Sequence, residues 1–184
     1  ETEWREPAPL LRAGIYWPGA RVMSLNNLRT HWIEDAPVVA ITFYRALYQA
    51  GNLEPVDAVI AALRQRDLNP LPVFVASLKE ALSAETVDSI FGDAPPAIIL
   101  NSTGFAVSKP NGERTPSPLE RPGVPVIQMI FAGGNEDDWR DGLNGLSARD
   151  IAMNVALPEV DGRIISRAVS FKTEARFDAA TQLP

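Results

Sequence analysis

Polar side chains with binding chemistry follow the second long apolar run of the sequence. The run Val38–Tyr44 leads directly into Arg45, and Asn52 follows seven residues later, just after Gly51. An arginine fork and the free N–H groups of a helix N-terminus both bind carboxylates. Two interpretations stay open: the pair lines an anion site, or Arg45 pairs with an acidic neighbour and Asn52 only caps the next helix.

A second polar group follows a later apolar run. Ala97–Leu100 leads into Asn101, Ser102 and Thr103, with Gly104 next. Three hydrogen-bonding side chains at a strand end can line a cleft for a polar ligand. The same residue types also favour an ordinary turn for local reasons, and both readings stay open.

Two further places carry polar chemistry. Gln128 lies inside the apolar run Pro125–Phe131, and a buried amide needs partners, either backbone groups or a cleft. Glu159 and Asp161 flank a turn that ends in Gly162. Two such carboxylates can act as acid, base or metal ligand, or they can be part of a solvated turn.

Several kinds of chemistry are absent from the sequence. His31 is the only histidine and there is no cysteine, so a His- or Cys-based metal site and a thiol nucleophile are not supported. We expect His31, beside Trp32, to be structural or exposed. No phosphate-binding P-loop, dinucleotide-binding glycine motif or G-x-S-x-G motif is found, so this chain is not expected to bind ATP itself.

Composition narrows the range of partners. The formal net charge is -6 and no Lys/Arg cluster is present, which argues against nucleic-acid binding. The apolar runs are shorter than the roughly 20 residues of a membrane span, and the acidic N-terminus does not resemble a secretory signal. The lack of cysteine fits a reducing compartment, so we expect a cytoplasmic location. The chain does not begin with Met, and we expect it to be trimmed from a longer one.

The elements that must position these residues alternate along the chain. Predicted strands are the apolar runs 10–17, 37–45, 71–77, 97–101, 125–131 and 164–171, most of them continuous as in parallel sheets. Helical spacing of Val56, Val59, Ile60 and Leu63 predicts a helix capped by Asn52. We expect Ser83 to cap the next helix.

A third predicted helix lies near the end of the chain. Ser147 and Asp150 have the spacing of a capping box. A buried stripe follows, and Pro158 is expected to end the helix; the stripe consists of Ala148, Ile151, Ala152 and Val155. Trp139 follows three acidic residues that suit the first turn of a helix, and we expect it to pack.

Strand–helix alternation predicts an α/β fold. We expect an open, doubly wound, mostly parallel sheet with helices on both faces, of the Rossmann or flavodoxin-like kind. The chain length suits one domain, residues 1–184, with an irregular loop at 108–124. Such sheets bind ligands beyond the carboxyl ends of their strands, where most of the polar residues above are found.

The stretch Gly145–Arg163 contains a Leu-Pro-Glu-x-Asp-Gly core. With this stretch as its most specific part, the chain from about residue 10 to residue 172 resembles the large subunit of cobaltochelatase (CobN type), which is related to the large subunit of magnesium chelatase. The core is common to both branches. The likeness to the cobalt branch is closer, through Ser147–Asp150 and Ser170–Lys172. The other stretches are Pro37–Arg45, Gln49–Asn52, Val56–Leu63, Leu71–Lys79 and Leu100–Ala106.

This resemblance implies a function for a much longer, multidomain chain. It implies a tetrapyrrole-binding subunit that inserts cobalt(II), as substrate metal, into hydrogenobyrinic acid a,c-diamide. An AAA+ ATPase subunit and an associated partner subunit would supply ATP hydrolysis with Mg. The single histidine suggests that the metal-handling residues lie elsewhere in that longer chain, and we expect the fragment alone to be inactive.

Three hypotheses follow. In the first, a cleft at the strand ends contacts the carboxylates and amides of the corrinoid; the candidate residues are Arg45, Asn52, Asn101, Ser102, Thr103, Gln128, Glu159 and Asp161. In the second, the domain is a structural or docking module of a magnesium chelatase-type subunit. In the third, it is a small-molecule sensor of the periplasmic-binding type, which would need a second lobe that this length hardly provides.

Overall fold

The computed structural model describes residues 11–108, 116–143 and 145–172, and these form a seven-stranded sheet flanked by helices. The strands in chain order are β1 (Ala13–Trp17), β2 (Ala20–Met23), β3 (Val38–Tyr44), β4 (Asn69–Val75), β5 (Ile98–Asn101), β6 (Val126–Asn135) and β7 (Ile164–Lys172). The helices are α1 (Leu25–Arg29), α2 (Arg45–Ala50), α3 (Glu54–Arg64), α4 (Ala81–Asp93), α5 (Glu136–Asp141), α6 (Ala148–Ile151) and α7 (Leu157–Val160). A π-helical segment, Ala152–Ala156, joins α6 to α7.

The strand order is β2-β1-β4-β3-β5-β6-β7. Five strands, β3 to β7, are parallel, and β1 and β2 extend the sheet antiparallel at the β4 edge. Numbered among themselves, the five parallel strands have the order 2-1-3-4-5, which is the flavodoxin-like arrangement. The prediction of an open, mostly parallel α/β sheet is therefore confirmed, although the first predicted strand is antiparallel and β2 was not predicted.

The topology fixes where a ligand site is expected. From β3 the chain crosses through α3 to β4 on one side, and then through α4 to β5 on the other. Right-handed crossovers in opposite directions place the two helices on opposite faces of the sheet and leave a crevice between β3 and β5. Tyr44 and Asn101, the last residues of these strands, therefore border the switch point.

The core is formed by continuous apolar runs buried on both faces of the sheet. All seven residues of β4 are buried, and Ala40, Ile41 and Phe43 of β3 have no exposed surface. The strand β4 contains Pro70 and Pro72, which cannot donate to a ladder. Along β4 the N–H groups alternate in direction, and Asn69 donates towards the β3 side, so the nitrogens of Pro70 and Pro72 face away from β3. On the other side of β4, β1 pairs only with residues 73–75. Neither proline therefore interrupts the hydrogen bonding of the sheet.

The connection between β2 and β3 contains a short helix and a loop. The helix α1 is capped by the Ser24 hydroxyl, and a loop then leads to β3. Asn69, at the start of β4, fixes that loop: its Oδ1 accepts the Ile33 N–H at 2.8 Å, and its Nδ2 donates to the carbonyls of Ile33 (2.8 Å) and Ala36 (3.0 Å). His31 is exposed and stacks on Trp17, as expected for a structural residue.

Two predicted helix caps are wrong. Asn52 does not cap α3, whose N-cap is Leu53; its backbone N–H instead bonds to the Leu47 carbonyl as part of the C-terminal cap of α2. Ser83 lies inside α4 and is buried. Its hydroxyl bonds to the Glu80 carboxylate at 3.1 Å, so it joins the first turn to the residue before the helix without capping it.

The helix near the end of the chain begins as predicted and then departs from the prediction. Ser147 is its N-cap and accepts the Asp150 N–H at 3.1 Å. Pro158 does not end the helix; it lies in the first turn of α7 as its second residue, where a missing N–H is tolerated. Ile151 and Ala152 are exposed, so the predicted stripe is not buried. The π-helical segment changes the number of residues per turn, which disrupts a stripe predicted from 3.6-residue spacing.

Two remaining predictions concern loops and membranes. Residues 116–125 contain turns, whereas 109–115 of the predicted loop lie outside the described residues. Within the described residues, none of the helices has the length and apolar character that crossing a bilayer requires.

We predict that Asn69→Ala lowers the free energy of unfolding by about 1–3 kcal/mol, because the loop before β3 loses three hydrogen bonds to a buried amide. Urea unfolding measures the change. Asn52→Ala is the matched control: its side chain is exposed, and the change should stay within about 0.5 kcal/mol. Equal effects of the two substitutions would contradict the role given to Asn69.

Candidate functional site at the carboxyl edge

Three side chains lie side by side across the switch point. Thr42, Asn101 and Gln128 occupy matching positions on β3, β5 and β6, and each has no exposed surface. The Thr42 hydroxyl donates to Asn101 Oδ1 at 2.6 Å, and Asn101 Nδ2 donates to Gln128 Oε1 at 2.7 Å. Asn101, predicted at a strand end, and Gln128, predicted inside a strand, therefore form one buried chain of hydrogen bonds with Thr42.

A buried ion pair closes the chain of hydrogen bonds on the side of β7. Arg163 Nη2 lies 3.0 Å from Asp161 Oδ2, and both side chains are almost completely buried. Arg163 Nη1 also donates to Gln128 Oε1 at 3.2 Å. The turn before β7 makes this possible, because Gly162 takes the left-handed conformation (φ 70°) and lets the chain reverse between the two charged residues.

Burial and charge act in opposite directions on the arginine. Desolvation lowers the pKa of Arg163, and the neighbouring Asp161 carboxylate opposes that shift. A guanidinium begins so far above neutral pH that it keeps its proton. The site therefore holds a full positive charge inside the protein, neutralised by one carboxylate and several oxygen acceptors.

These side chains hold the loop that follows β5. Arg163 donates to the carbonyls of Thr103 (2.6 Å) and Phe105 (3.2 Å), while the Asp161 carboxylate accepts the N–H groups of Val107 (2.8 Å) and Ser108 (2.9 Å). From β3, Tyr44 Oη accepts the N–H groups of Gly104 and Phe105, both at 3.0 Å. The loop is thus held by side chains from the end of β3 on one side and from the turn before β7 on the other.

The loop also lies directly against the π-helical segment. A Cβ added to Gly104 would come within 2.6 Å of the Met153 carbonyl oxygen, so only glycine fits there. This close approach of two backbones explains why Gly104 follows the polar residues. It also links the loop after β5 to the helix that precedes Asp161 and Arg163.

The predicted site residues fall into two groups. Asn101, Thr103, Gln128 and Asp161 are brought together in the buried network, and Ser102 is attached to it through hydrogen bonds from its N–H and hydroxyl to the Thr42 carbonyl. Three predicted residues have no part in the buried network: Arg45, Asn52 and Glu159. Arg45 donates to the Leu11 carbonyl at 3.2 Å, and Asn52 and Glu159 are exposed.

Three contributors are not among the residues predicted from the sequence: Thr42, Tyr44 and Arg163. Thr42 and Tyr44 were treated as part of an apolar strand. A hydroxyl among the last three residues of a central strand is a signal that could have predicted a role at the site. Arg163 follows the Asp161-Gly162 turn and precedes an apolar strand. An arginine at that point has to leave the sheet or be paired within it, and the nearby Asp161 was the available partner.

A separate cleft lies on the part of β6 and β7 that extends past the other strands. It encloses about 600 Å³. Trp139 packs against Phe171 with ring centroids 5.0 Å apart, and Trp139 itself remains 42% exposed. Other lining residues are Ala132, Leu146, Ser147, Ala148, Asp150 and Ile151. The cleft is therefore largely apolar at its walls.

The charge beside this cleft is negative. The helix α5 carries the carboxylates of Glu136, Asp137, Asp138 and Asp141, against one guanidinium, Arg140. Arg140 is already paired with Glu136 (2.5 Å) and lies 3.5 Å from Asp137. The described residues contain no group of three or more His, Asp or Glu side chains that could hold a metal ion.

We predict that Arg163→Met lowers the free energy of unfolding by about 3–5 kcal/mol, because it leaves Asp161 buried without its counter-ion. Adding Asp161→Asn to that variant should recover part of the loss, since the uncompensated charge disappears. Arg149→Met, at an exposed position of α6, is the control and should change stability by less than about 0.5 kcal/mol. Urea unfolding that finds Arg163→Met as mild as the control would refute this assignment.

Comparison with known proteins gives the chain a family. Residues 1–183 match the family model described as CobN/Magnesium Chelatase. The chain is 48% identical to the aerobic cobaltochelatase subunit CobN of Sinorhizobium sp over 96% of its length and 15% of that protein. Against the subunit of the same name from Pseudomonas aeruginosa, identity is 41% over 92% of the chain and 13% of the relative.

A more distant relative matches much of the same chain, and a solved structure has the same fold. The chloroplastic magnesium-chelatase subunit ChlH of Oryza sativa subsp. indica is 24% identical over 86% of the chain and 12% of that protein. The catalytic subunit of cobaltochelatase from Mycobacterium tuberculosis superposes on 99% of the chain and 15% of its own, with a TM-score of 0.72 and 24% identity, which shows the same fold. The chain spans about one seventh of the length of these curated relatives, and it belongs to the CobN/magnesium chelatase family.

Proposed function

We propose that this chain is one domain of the tetrapyrrole-binding large subunit of a cobaltochelatase. The observation that carries the proposal is the 48% identity to a cobaltochelatase subunit over nearly the whole chain, against 24% to a magnesium-chelatase subunit. The difference favours cobalt over magnesium as the metal. In the complete subunit the segment would be an N-terminal-side or internal part of a much longer multidomain chain, and we propose a cytoplasmic location.

The proposed reaction is the insertion of cobalt(II), a substrate, into hydrogenobyrinic acid a,c-diamide. Hydrolysis of ATP with Mg would take place in an AAA+ partner subunit acting with an associated subunit. We assign to this chain the binding and orientation of the macrocycle, not the handling of the metal. The support for this assignment is the rim at the switch point, which combines hydrogen-bonding groups with a rigid backbone.

The candidate residues divide by exposure into two proposed roles. Arg45 lies at the end of β3 and is only partly buried, so its guanidinium is available to a carboxylate of the corrinoid. Asn52 and Glu159 are exposed and can meet the amides of the macrocycle. Asn101, Thr103, Gln128 and Asp161 are hydrogen-bonded inside the protein and would act by holding the loop in place. Ser102 belongs with them.

The proposal predicts that the complete large subunit binds hydrogenobyrinic acid a,c-diamide, seen as a change in the absorbance of the corrinoid on titration. Arg45→Ala should weaken binding by roughly tenfold, because a charged hydrogen bond is worth about 1.5–3 kcal/mol. Arg66→Ala is the control, since Arg66 follows α3 at the opposite edge of the sheet. Wild-type subunit that leaves the corrinoid spectrum unchanged at high micromolar concentration would refute the proposal.

The apolar cleft of β6 and β7 favours a second function, docking of the ATPase subunit. Four carboxylates on α5 would repel a corrinoid that carries carboxylates itself, but they would attract a basic segment with an apolar anchor. The exposed Trp139 has the character of an interface anchor. This observation supports a protein, not the tetrapyrrole, as occupant of the cleft.

We predict that Trp139→Ala in the complete subunit weakens its binding to the purified ATPase subunit by about tenfold or more, as truncated anchors do. Titration calorimetry at two salt concentrations gives the affinity and the electrostatic part of it. Leu82→Ala, an exposed apolar residue on α4, is the control. Unchanged ATPase affinity with Trp139→Ala would exclude the docking function for this cleft.

A further inference from the structure

The loop between β5 and β6 has an unusual distribution of exposure. Thr103 and Ala106, on either side of Phe105 and Gly104, are buried, whereas the Phe105 side chain is 57% exposed. Its ring contacts that of Tyr44 edge to face, with centroids 6.4 Å apart. The loop therefore turns its small residues inward and its large apolar side chain outward, the reverse of what burial of apolar surface would give.

The same loop receives the greatest concentration of buried polar groups in the described part of the chain. The Thr103 carbonyl accepts three side-chain donors, Asn101 Nδ2 (3.0 Å), Gln128 Nε2 (3.2 Å) and Arg163 Nη1 (2.6 Å). Two residues on, Arg163 also bonds to the Phe105 carbonyl, and Tyr44 bonds to the Phe105 N–H. Both backbone groups of Phe105 are thus held by side chains from other elements.

A buried charge pair is a poor means of stabilising a fold. Removing Asp161 and Arg163 from water costs about as much as their attraction returns, and an apolar pair of similar volume often does better. What the pair provides is a defined loop backbone, since its atoms bond to residues 103, 105, 107 and 108. The result is an exposed aromatic ring on a backbone with little freedom to move.

The place of this ring in the fold is where open α/β sheets bind ligands. Phe105 follows β5 by four residues, beside the crevice between β3 and β5. Tyr44 ends β3 on the other side of the crevice and contacts Phe105 directly. The two rings therefore lie in edge-to-face contact beside the switch point, with the edge of one supporting the other.

We propose that Phe105, supported by Tyr44, is the platform against which the face of the conjugated macrocycle lies, and that Asp161 and Arg163 are positioning residues for it. This inference rests on the proposed tetrapyrrole-binding function and names the contact that the macrocycle face makes. A large flat ring gains from an aromatic surface held at a fixed angle, because the surface loses little freedom on binding. The carboxylates at the ring periphery remain free for partners such as Arg45.

The test uses the complete large subunit and hydrogenobyrinic acid a,c-diamide, followed by absorbance. Phe105→Ala should weaken binding by roughly tenfold, and Phe105→Trp should preserve it and change the bound spectrum, because a different ring stacks on the chromophore. Stability of Phe105→Ala should remain close to that of wild type, since the side chain is exposed. Ile33→Ala, a comparably exposed residue before β3 at the opposite edge, is the control and should bind like wild type.

The positioning role has its own readout. Arg163→Lys keeps the charge but loses the fork that reaches two carbonyls, so it should weaken corrinoid binding. In the double variant Arg163→Lys, Phe105→Ala the two losses should not add, because both act through the same ring. Additive losses would overturn the positioning role, and Phe105→Ala with wild-type affinity would overturn the platform while leaving the proposed function intact. Absence of corrinoid binding by the wild type would instead overturn the proposed function.

Discussion

The buried loop after β5 has backbone N–H and carbonyl groups that no helix or strand can pair. The structure of the carboxyl edge depends on supplying partners for these groups. The chain leaves β5 and passes over the sheet through residues 102–108, where the described residues form neither helix nor strand. Buried N–H and carbonyl groups must find partners, and here side chains supply them. Arg163, Asp161 and Tyr44 together satisfy six backbone groups of this loop. Without them the loop would have to open to water.

That requirement explains why charged residues are buried where apolar ones would pack at lower cost. A guanidinium offers several donors in a fixed plane, so one side chain can reach the carbonyls of residues 103 and 105 and the Gln128 amide at once. A carboxylate offers acceptors in the complementary sense for two N–H groups. No buried side-chain nitrogen or oxygen atom among the described residues lacks a partner. The pair is thus better understood as specifying one loop conformation than as adding net stability.

Features that leave a local pattern in the sequence could be predicted, whereas features that depend on contacts between distant elements could not. Continuous apolar runs identified six strands and the parallel sheet, because burial on both faces leaves a pattern in the sequence itself. The polar residues after β5 were found for the same reason: Asn101 interrupts an apolar run. For Arg163, only the pairing with Asp161 has a local signal; its bonds to Thr103, Phe105 and Gln128 depend on the register of β6 and β7, which local sequence does not contain. Asn52 and Pro158 misled because each suits two positions at a helix end, and only the neighbouring turns decide between them.

The carboxyl edge therefore divides into two surfaces with different chemistry. Beside β3 and β5, a buried hydrogen-bond network holds the loop, and the aromatic rings of Phe105 and Tyr44 lie over it. Beside the extended ends of β6 and β7 it is an apolar cleft with acidic residues along one wall. A ligand with peripheral carboxylates would be attracted to the first and repelled by the second, whereas a basic protein segment would show the opposite preference. Asp161 and Arg163 fix the loop after β5 from the start of β7, and Phe171 near the far end of the same strand lines the cleft, so one strand contributes to both surfaces.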